Sequence, residues 1–405
     1  MIHGEKVTWN ETDGNSLGSG LRTSPEPRSC RVSFTRLLDN LIREKSPAIN
    51  GFERLLALKS DAELEELARE SQALTRQNFG RTMRLFAPLY LSNECINNCR
   101  YCGFSRDNPI LRVTLELEQV VTEARHLAAE GFRQVLLVAG EHPKFVSGDY
   151  LKDCVGALAP DFSSIAIEVG PMETGEYRPL VQAGADALVV YQETYDRETY
   201  AALHTSGPKR DFDWRLDCPE RGYEAGFRRI GIGALFGLAP WRQEAIALAA
   251  HVEYLLKRCW QAQISVSLPR IRPAAGGFTP EFSMKDRELA QLICALRISF
   301  PQVGIVLSTR ERAALRDALV PLGVTMMSAG SHTEPGGYTG QGSANLHLTV
   351  RGRIVAPEFQ EGSDRLATGQ FEISDERSPA EIAAVLRQRG MEAVWKDWDQ
   401  ALLAS

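Results

Sequence analysis

The sequence predicts an α/β protein built on a (β/α)8 barrel of the TIM type, with a helical lead-in before it and an extension after it. Three observations lead there. Short apolar, β-branched runs recur eight times, longer amphipathic stretches separate them, and polar residues suited to chemistry follow the C-terminal ends of the runs. The 405 residues are 43% hydrophobic and 24% charged with a formal net charge of -6, which excludes intrinsic disorder, collagen-like repeats and a strongly basic nucleic-acid binder. No run approaches the ~20 apolar residues that a bilayer requires, and the N-terminus has no apolar stretch followed by a cleavage site. The reading is a cytoplasmic protein with neither a membrane nor a nucleic-acid partner.

Residues 1–32 are rich in Gly, Ser, Pro, Asn and Thr, too poor in large apolar groups to offset the entropy of ordering, and are expected to form a flexible arm. In 33–80, Phe34, Leu37, Leu38 and Leu41, then Leu55, Leu56, Leu64 and Leu67, recur at helical spacing and predict amphipathic helices packed on a larger body. The barrel is placed at 81–330. Its expected strands are Leu85 to Leu91, Gln134 to Val138, Ser164 to Val169, Ala187 to Tyr191, Arg229 to Ala234, Ala262 to Leu268, Val303 to Leu307 and Val324 to Met327. Glu116 to Ala129, Arg242 to Arg258 and Asp286 to Ser299 carry apolar residues three and four apart and are expected to be helices between them. A doubly wound open sheet would give the same local signals. The extension, 331–405, holds a Gly-, Ser- and Thr-rich stretch, a strand-like run from Leu346 to Ile354, and a helix from Pro379 to Arg389 opened by Ser378.

Eight cysteines are too few for a disulfide scaffold, yet Cys95, Cys99 and Cys102 fall together on the loop after the first strand. Thiolates suit zinc or an iron-sulfur cluster, and both normally take four protein ligands. Only three are offered here, with no second CxxC pair and no histidine closer than His126 and His142. A [4Fe-4S] cluster held by three thiolates leaves one iron able to chelate an amino and a carboxylate group, as reductive cleavage of S-adenosyl-L-methionine (SAM) requires.

The CxxxCxxC spacing with an aromatic, Tyr101, before the last cysteine resembles the radical SAM superfamily. The flanking residues Phe86 to Ser105 resemble one branch of it, the tyrosine lyases of thiamine thiazole biosynthesis, or 2-iminoacetate synthases. The likeness continues through Leu137 to His142, Val190 to Tyr195, Asp211 to Arg215, Ser265 to Pro273, Leu307 to Glu311, Pro335 to Tyr338, Gln370 to Asp375 and Val394 to Asp399. It implies a radical SAM barrel, a [4Fe-4S] cluster and SAM as cofactors, and cleavage of the Cα–Cβ bond of L-tyrosine to 2-iminoacetate and p-cresol. It further implies thiazole synthase as a partner and a flavodoxin-like or ferredoxin-like electron donor. Relatives that cleave tyrosine for hydrogenase maturation carry further cysteines in a C-terminal domain, whereas the last cysteine here is Cys294. A tryptophan-cleaving relative, or a non-catalytic iron-sulfur sensor, remains as an alternative. The stretch Thr339 to Gly369 is longer than the likeness leads one to expect.

The resemblance also assigns roles to residues at the strand ends. Gly140 and Glu141 follow the second strand, Gly140 permitting close backbone approach and Glu141 expected at the SAM amino group, and Glu168 is expected at the SAM ribose, a carboxylate that needs a partner in so apolar a strand. Gln192, Glu193 and Arg215 are expected to complete that pocket. On the substrate side, the planar fork of Arg310 suits an amino-acid carboxylate, with Arg270 as a second candidate, Ser328 as a hydroxyl contact and Tyr90 beside the substrate. Trp214, Trp241, Trp260, Trp395 and Trp398 are expected to be packing residues.

Overall fold

A computed structural model describes residues 45–350, 353–356 and 366–396. The expected N-terminal arm lies outside these residues, as do Phe34, Leu37, Leu38 and Leu41 of the expected lead-in and Trp398. The eight barrel strands are β1 (Thr82–Ser92), β2 (Gln134–Ala139), β3 (Ser164–Glu168), β4 (Ala187–Glu193), β5 (Arg229–Ala234), β6 (Gln263–Ser267), β7 (Gly304–Leu307) and β8 (Met326–Ser328). All run parallel in sequential order, and β8 closes onto β1 through Arg84↔Met326, Leu85↔Met327 and Phe86↔Ser328. That closure decides for the barrel over the open doubly wound sheet.

Strand parity sorts the side chains. On β1 the odd residues Met83, Leu85, Ala87, Leu89 and Leu91 are fully buried in the layer between sheet and helices, while Phe86, Pro88 and Tyr90 line the barrel interior. The same alternation turns Leu136 and Val138 of β2, Glu168 of β3, Tyr191 of β4 and Ser328 of β8 into one central chamber. Helices Leu117–Ala129, Trp241–Arg258 and Asp286–Ser299 lie within a residue of their expected bounds.

The lead-in forms two helices, Pro47–Leu56 and Asp61–Phe79. Ser46 caps the first with proline at its first position, and Ser60 and Glu63 form a capping box on the second. Both pack on the outer helices of the barrel, where Ser46 Oγ donates to Glu253 (2.7 Å) and Gln291 Nε2 donates to the Leu55 carbonyl (2.7 Å).

The C-terminal part returns to the barrel at both ends. Strand Glu392–Val394 pairs with the first residues of β1, below the point where β2 begins its own pairing at Ala87. Segment 366–375 crosses the C-terminal mouth. The expected strand from Leu346 is a hairpin, His347–Val350 with Arg353–Val355, whose first strand pairs with Leu111–Arg112 beside the cysteine loop. His347 Nε2 lies 2.6 Å from Glu94, the residue before Cys95. Of the tryptophans, Trp241 is buried, Trp214 lies under the Arg221 guanidinium and Trp395 packs edge-on to Phe132. Trp260 corrects the expectation: it is 74% exposed in the turn after helix Trp241–Arg258.

Candidate active site

The cysteine loop leaves β1 at Ser92 and crosses the C-terminal mouth of the barrel. It lies close to the end of β2 because residue 140 is glycine: a Cβ there would stand 2.3 Å from the Glu94 carbonyl oxygen and 3.2 Å from Cys95 Cβ. Cys99 is buried, Cys95 and Cys102 are half-buried, and all three are free thiols. Burial pushes each thiol pKa up, which is the state of a thiol shielded from water, and the Lys209 ammonium opposes that rise at all three. Among the described residues no three His, Cys, Asp or Glu side chains converge closely enough to hold a single metal ion. Three thiols on one loop with a cation nearby, and no fourth ligand beside them among the described residues, fit a cluster whose ligands bind separate irons.

Two adjoining cavities lie beneath the loop. Beside the central chamber a second cavity is lined by Tyr101, Cys102, Glu193, Lys209 and Arg272. Glu168, Tyr191, Arg310, Gln370 and Phe371 line both, so one wall separates the thiol side from the barrel interior.

The polar residues of the thiol side form a charged network. Lys209 Nζ lies 2.6 Å from Glu193 and Arg215 lies 3.6 Å from the same carboxylate. Burial opposes ionisation of Glu193, but the two cations outweigh it and hold its carboxyl below the ordinary range. Glu193 has a left-handed backbone (φ 73°), alone among the described non-glycine residues, at an irregularity in the β4–β5 register. Arg215 is anchored by its Nε to the Tyr191 carbonyl (2.6 Å). Gln192 donates to the Phe212 carbonyl, its buried Oε1 has no partner among the described residues, and neither Gln192 nor Arg215 lines either cavity. Glu168 forms no ion pair among the described residues; burial, then the Glu193 carboxylate, raises its pKa to about 7. Tyr101 OH meets His204 Nε2 at 2.7 Å. His204 Nδ1 lies 2.8 Å from the Tyr200 carbonyl and donates to it, so Nε2 accepts from the phenol. Gly140 and Glu141 stand apart: they line an outer cleft, where Asn97 Nδ2 donates to the Glu141 carboxylate at 2.6 Å.

On the interior side, Arg310 presents its guanidinium 3.3 Å from the centre of the Phe371 ring and makes no ion pair among the described residues. Tyr90 donates to Gln370 Oε1 (2.8 Å) and meets Phe104 edge-on. Ser328 Oγ accepts from the Thr309 backbone (3.1 Å) and keeps its own proton to donate into the chamber. Arg270 is different. It is forked onto Glu311 and held by Asp286 (2.9 Å) and the Met284 carbonyl (2.9 Å), and it lines neither cavity. The expectation that Arg270 stands in reserve for a substrate carboxylate is corrected by this saturation.

A curated 2-iminoacetate synthase of Escherichia coli (strain K12) is 42% identical over 399 residues, covering 97% of this chain and 96% of that protein. The chain belongs to the 2-iminoacetate synthase family of radical SAM enzymes. The Salmonella typhimurium member is 41% identical over 352 residues, with 86% of this chain and 87% of that one covered. The radical SAM superfamily model matches residues 89–248, and the biotin and thiamin synthesis associated domain matches residues 267–392. Among solved structures, the FeFe-hydrogenase maturase HydG from Carboxydothermus hydrogenoformans superposes with a TM-score of 0.76 at 34% identity, covering 90% of this chain and 79% of that one. Methylornithine synthase superposes with a TM-score of 0.67 at 21% identity and shares the fold. Membership of this radical SAM family brings with it a [4Fe-4S] cluster and SAM. No helix among the described residues is long and apolar enough to cross a membrane.

Sequence reasoning missed Lys209, His204, Gln370 and Phe371. Lys209 and His204 belong to the irregular excursion between β4 and β5, and Gln370 and Phe371 come from the segment over the mouth. Their neighbours are set by the tertiary fold. The signal available for the last two was their place in the family-like run from Gln370 to Asp375.

Proposed function

We propose that this member of the 2-iminoacetate synthase family cleaves the Cα–Cβ bond of L-tyrosine, giving 2-iminoacetate and p-cresol while SAM yields methionine and 5'-deoxyadenosine. Cys95, Cys99 and Cys102 would hold the cluster, and when bound the cluster and SAM supply the electron and the 5'-deoxyadenosyl radical. The chain's own part is binding, orientation and exclusion of water. Tyr101 and Glu193 would hold SAM on the thiol side, with Arg215 bracing the Glu193 carboxylate and Gln192 next to it on β4, Glu168 on the shared wall, and Gly140 and Glu141 supporting the loop from outside.

The observation that carries the reading is Arg310. A guanidinium in the wall between two cavities, stacked on an aromatic face and in no ion pair among the described residues, is arranged to accept a carboxylate from a ligand. Burial already lowers its pKa, so an arriving carboxylate relieves an electrostatic cost. Ser328 and Tyr90 lie on the same chamber and would steady the amino-acid end, with the apolar faces of Phe86, Leu136 and Val306 left for an aromatic ring. Delivery to thiazole synthase and reduction by a flavodoxin-like or ferredoxin-like donor are proposed on the resemblance alone.

The experiment is an anaerobic incubation of the reconstituted protein with SAM, reductant and L-tyrosine. The expected products are p-cresol and 5'-deoxyadenosine, lost together in Cys99→Ala. Formation of 3-methyl-2-indolic acid from tryptophan, without p-cresol from tyrosine, would overturn the assignment.

A further inference from the structure

The segment over the barrel mouth reaches further into the site than its distance along the chain suggests. Gln370 N donates to the Thr333 carbonyl (2.9 Å) after β8, and its own carbonyl accepts from Gly103 N (3.0 Å) in the cysteine loop. Gly103 permits that approach, because a Cβ there would stand 2.5 Å from the Gln370 carbonyl oxygen and 2.7 Å from that of Gly369. The backbone at 370 is thus clamped between the loop that carries the thiols and the loop that follows the last strand.

The side chain bridges the two cavities. Tyr90 donates its phenol proton to Oε1 at 2.8 Å, which fixes the amide and turns its NH2 toward Cys102, with Nε2 3.9 Å from Sγ. A sulfur acceptor is met at longer range than oxygen, and a thiolate ligand accepts more strongly than a thiol. Hydrogen bonds to cluster sulfurs raise the reduction potential, because they stabilise the extra electron of the reduced state.

We propose that Gln370 is a positioning residue that donates an N–H···S hydrogen bond to Cys102 and sets the reduction potential of the cluster, with Tyr90 holding the amide in that orientation. The proposal rests on the reading that Cys102 ligates the cluster. It connects the substrate chamber with the cluster through one side chain, so that a ligand disturbing the Tyr90 phenol is felt at Cys102.

The test is a redox titration of the anaerobically reconstituted full-length protein, followed by paramagnetic resonance, in the parent, Gln370→Met, Gln370→Leu and Tyr90→Phe. Both Gln370 variants should shift the midpoint to more negative potential at unchanged iron content, and Tyr90→Phe should shift it in the same direction by less. 5'-Deoxyadenosine release should then slow with a weak reductant and recover with a strong one, a recovery that a merely structural role would not produce. Two substitutions are used so that a poorly folding one does not decide the matter; an unshifted midpoint in whichever retains its cluster overturns the proposal. A parent protein with no cubane signal would instead refute the cluster reading itself, a separate and distinguishable failure.

Discussion

Two arginines six residues apart after β7 have opposite fates. Arg316 is wholly buried and paired: its two terminal nitrogens reach Asp375, itself wholly buried, and the Ser328 carbonyl, while its Nε has no hydrogen-bond partner among the described residues. Arg377 completes the knot with contacts to Asp375 (2.7 Å) and Asp317 (2.9 Å). Arg310 has an aromatic face and, among the described residues, no ion pair, the Glu168 and Glu193 carboxylates acting on it only at longer range. The difference teaches that a buried cation is a strut where the chain supplies its counter-charge, and a binding site where it does not. Arg270, forked onto Glu311, belongs with Arg316.

The largest expected effect breaks the binding half of that comparison. Arg310→Ala should lower kcat/KM for tyrosine by roughly 100- to 10,000-fold, the loss of two charge-assisted hydrogen bonds. SAM binding, read by calorimetry, should survive. Arg310→Lys keeps the charge without the fork and should recover little; full activity in that variant would contradict a bidentate grip.

The strut half is broken by Asp375→Ala, which leaves Arg316 buried without its partner and should cost about 3–5 kcal/mol in urea unfolding. Replacing both, Arg316→Met with Asp375→Leu, should return most of that loss, whereas no such compensation exists for Arg310.

A third test uses pH. The Glu168 carboxyl titrates at about 7 in the folded chain against an ordinary 4.5, so the folded state retains a proton that the unfolded state releases. Its contribution to stability is therefore complete below about 4.5 and lost as pH rises through about 7. Glu168→Gln should gain stability relative to the parent between pH 5 and pH 8, measured by unfolding at both; a constant difference would mean that Glu168 is ionised throughout. The smallest effect is Tyr90→Phe, which removes one hydrogen bond and should reduce turnover about 5- to 10-fold.

Much of this frame was legible in the sequence. The strand runs have little polar alternation because both faces are covered, and that fixes their type and nearly their bounds. The thiol trio was legible because its spacing is local. Arg310 was legible by type and position at a strand end, but its vacancy was not: that Arg270 is saturated and Arg310 is not depends on Glu311, Asp286 and Phe371 meeting them in space. Gln370 illustrates the limit best, since it meets Cys102 across 268 residues of sequence through a contact that only the returning C-terminal segment creates. The hairpin from His347 shows the same limit, for nothing in its own residues indicates that it docks beside the cysteine loop through Glu94.

The most direct measurement of the central claim is paramagnetic resonance of the reduced, anaerobically reconstituted protein with and without SAM. The account expects a [4Fe-4S] signal that changes when SAM is added and is lost in Cys99→Ala. A signal that is absent, or indifferent to SAM, would contradict it.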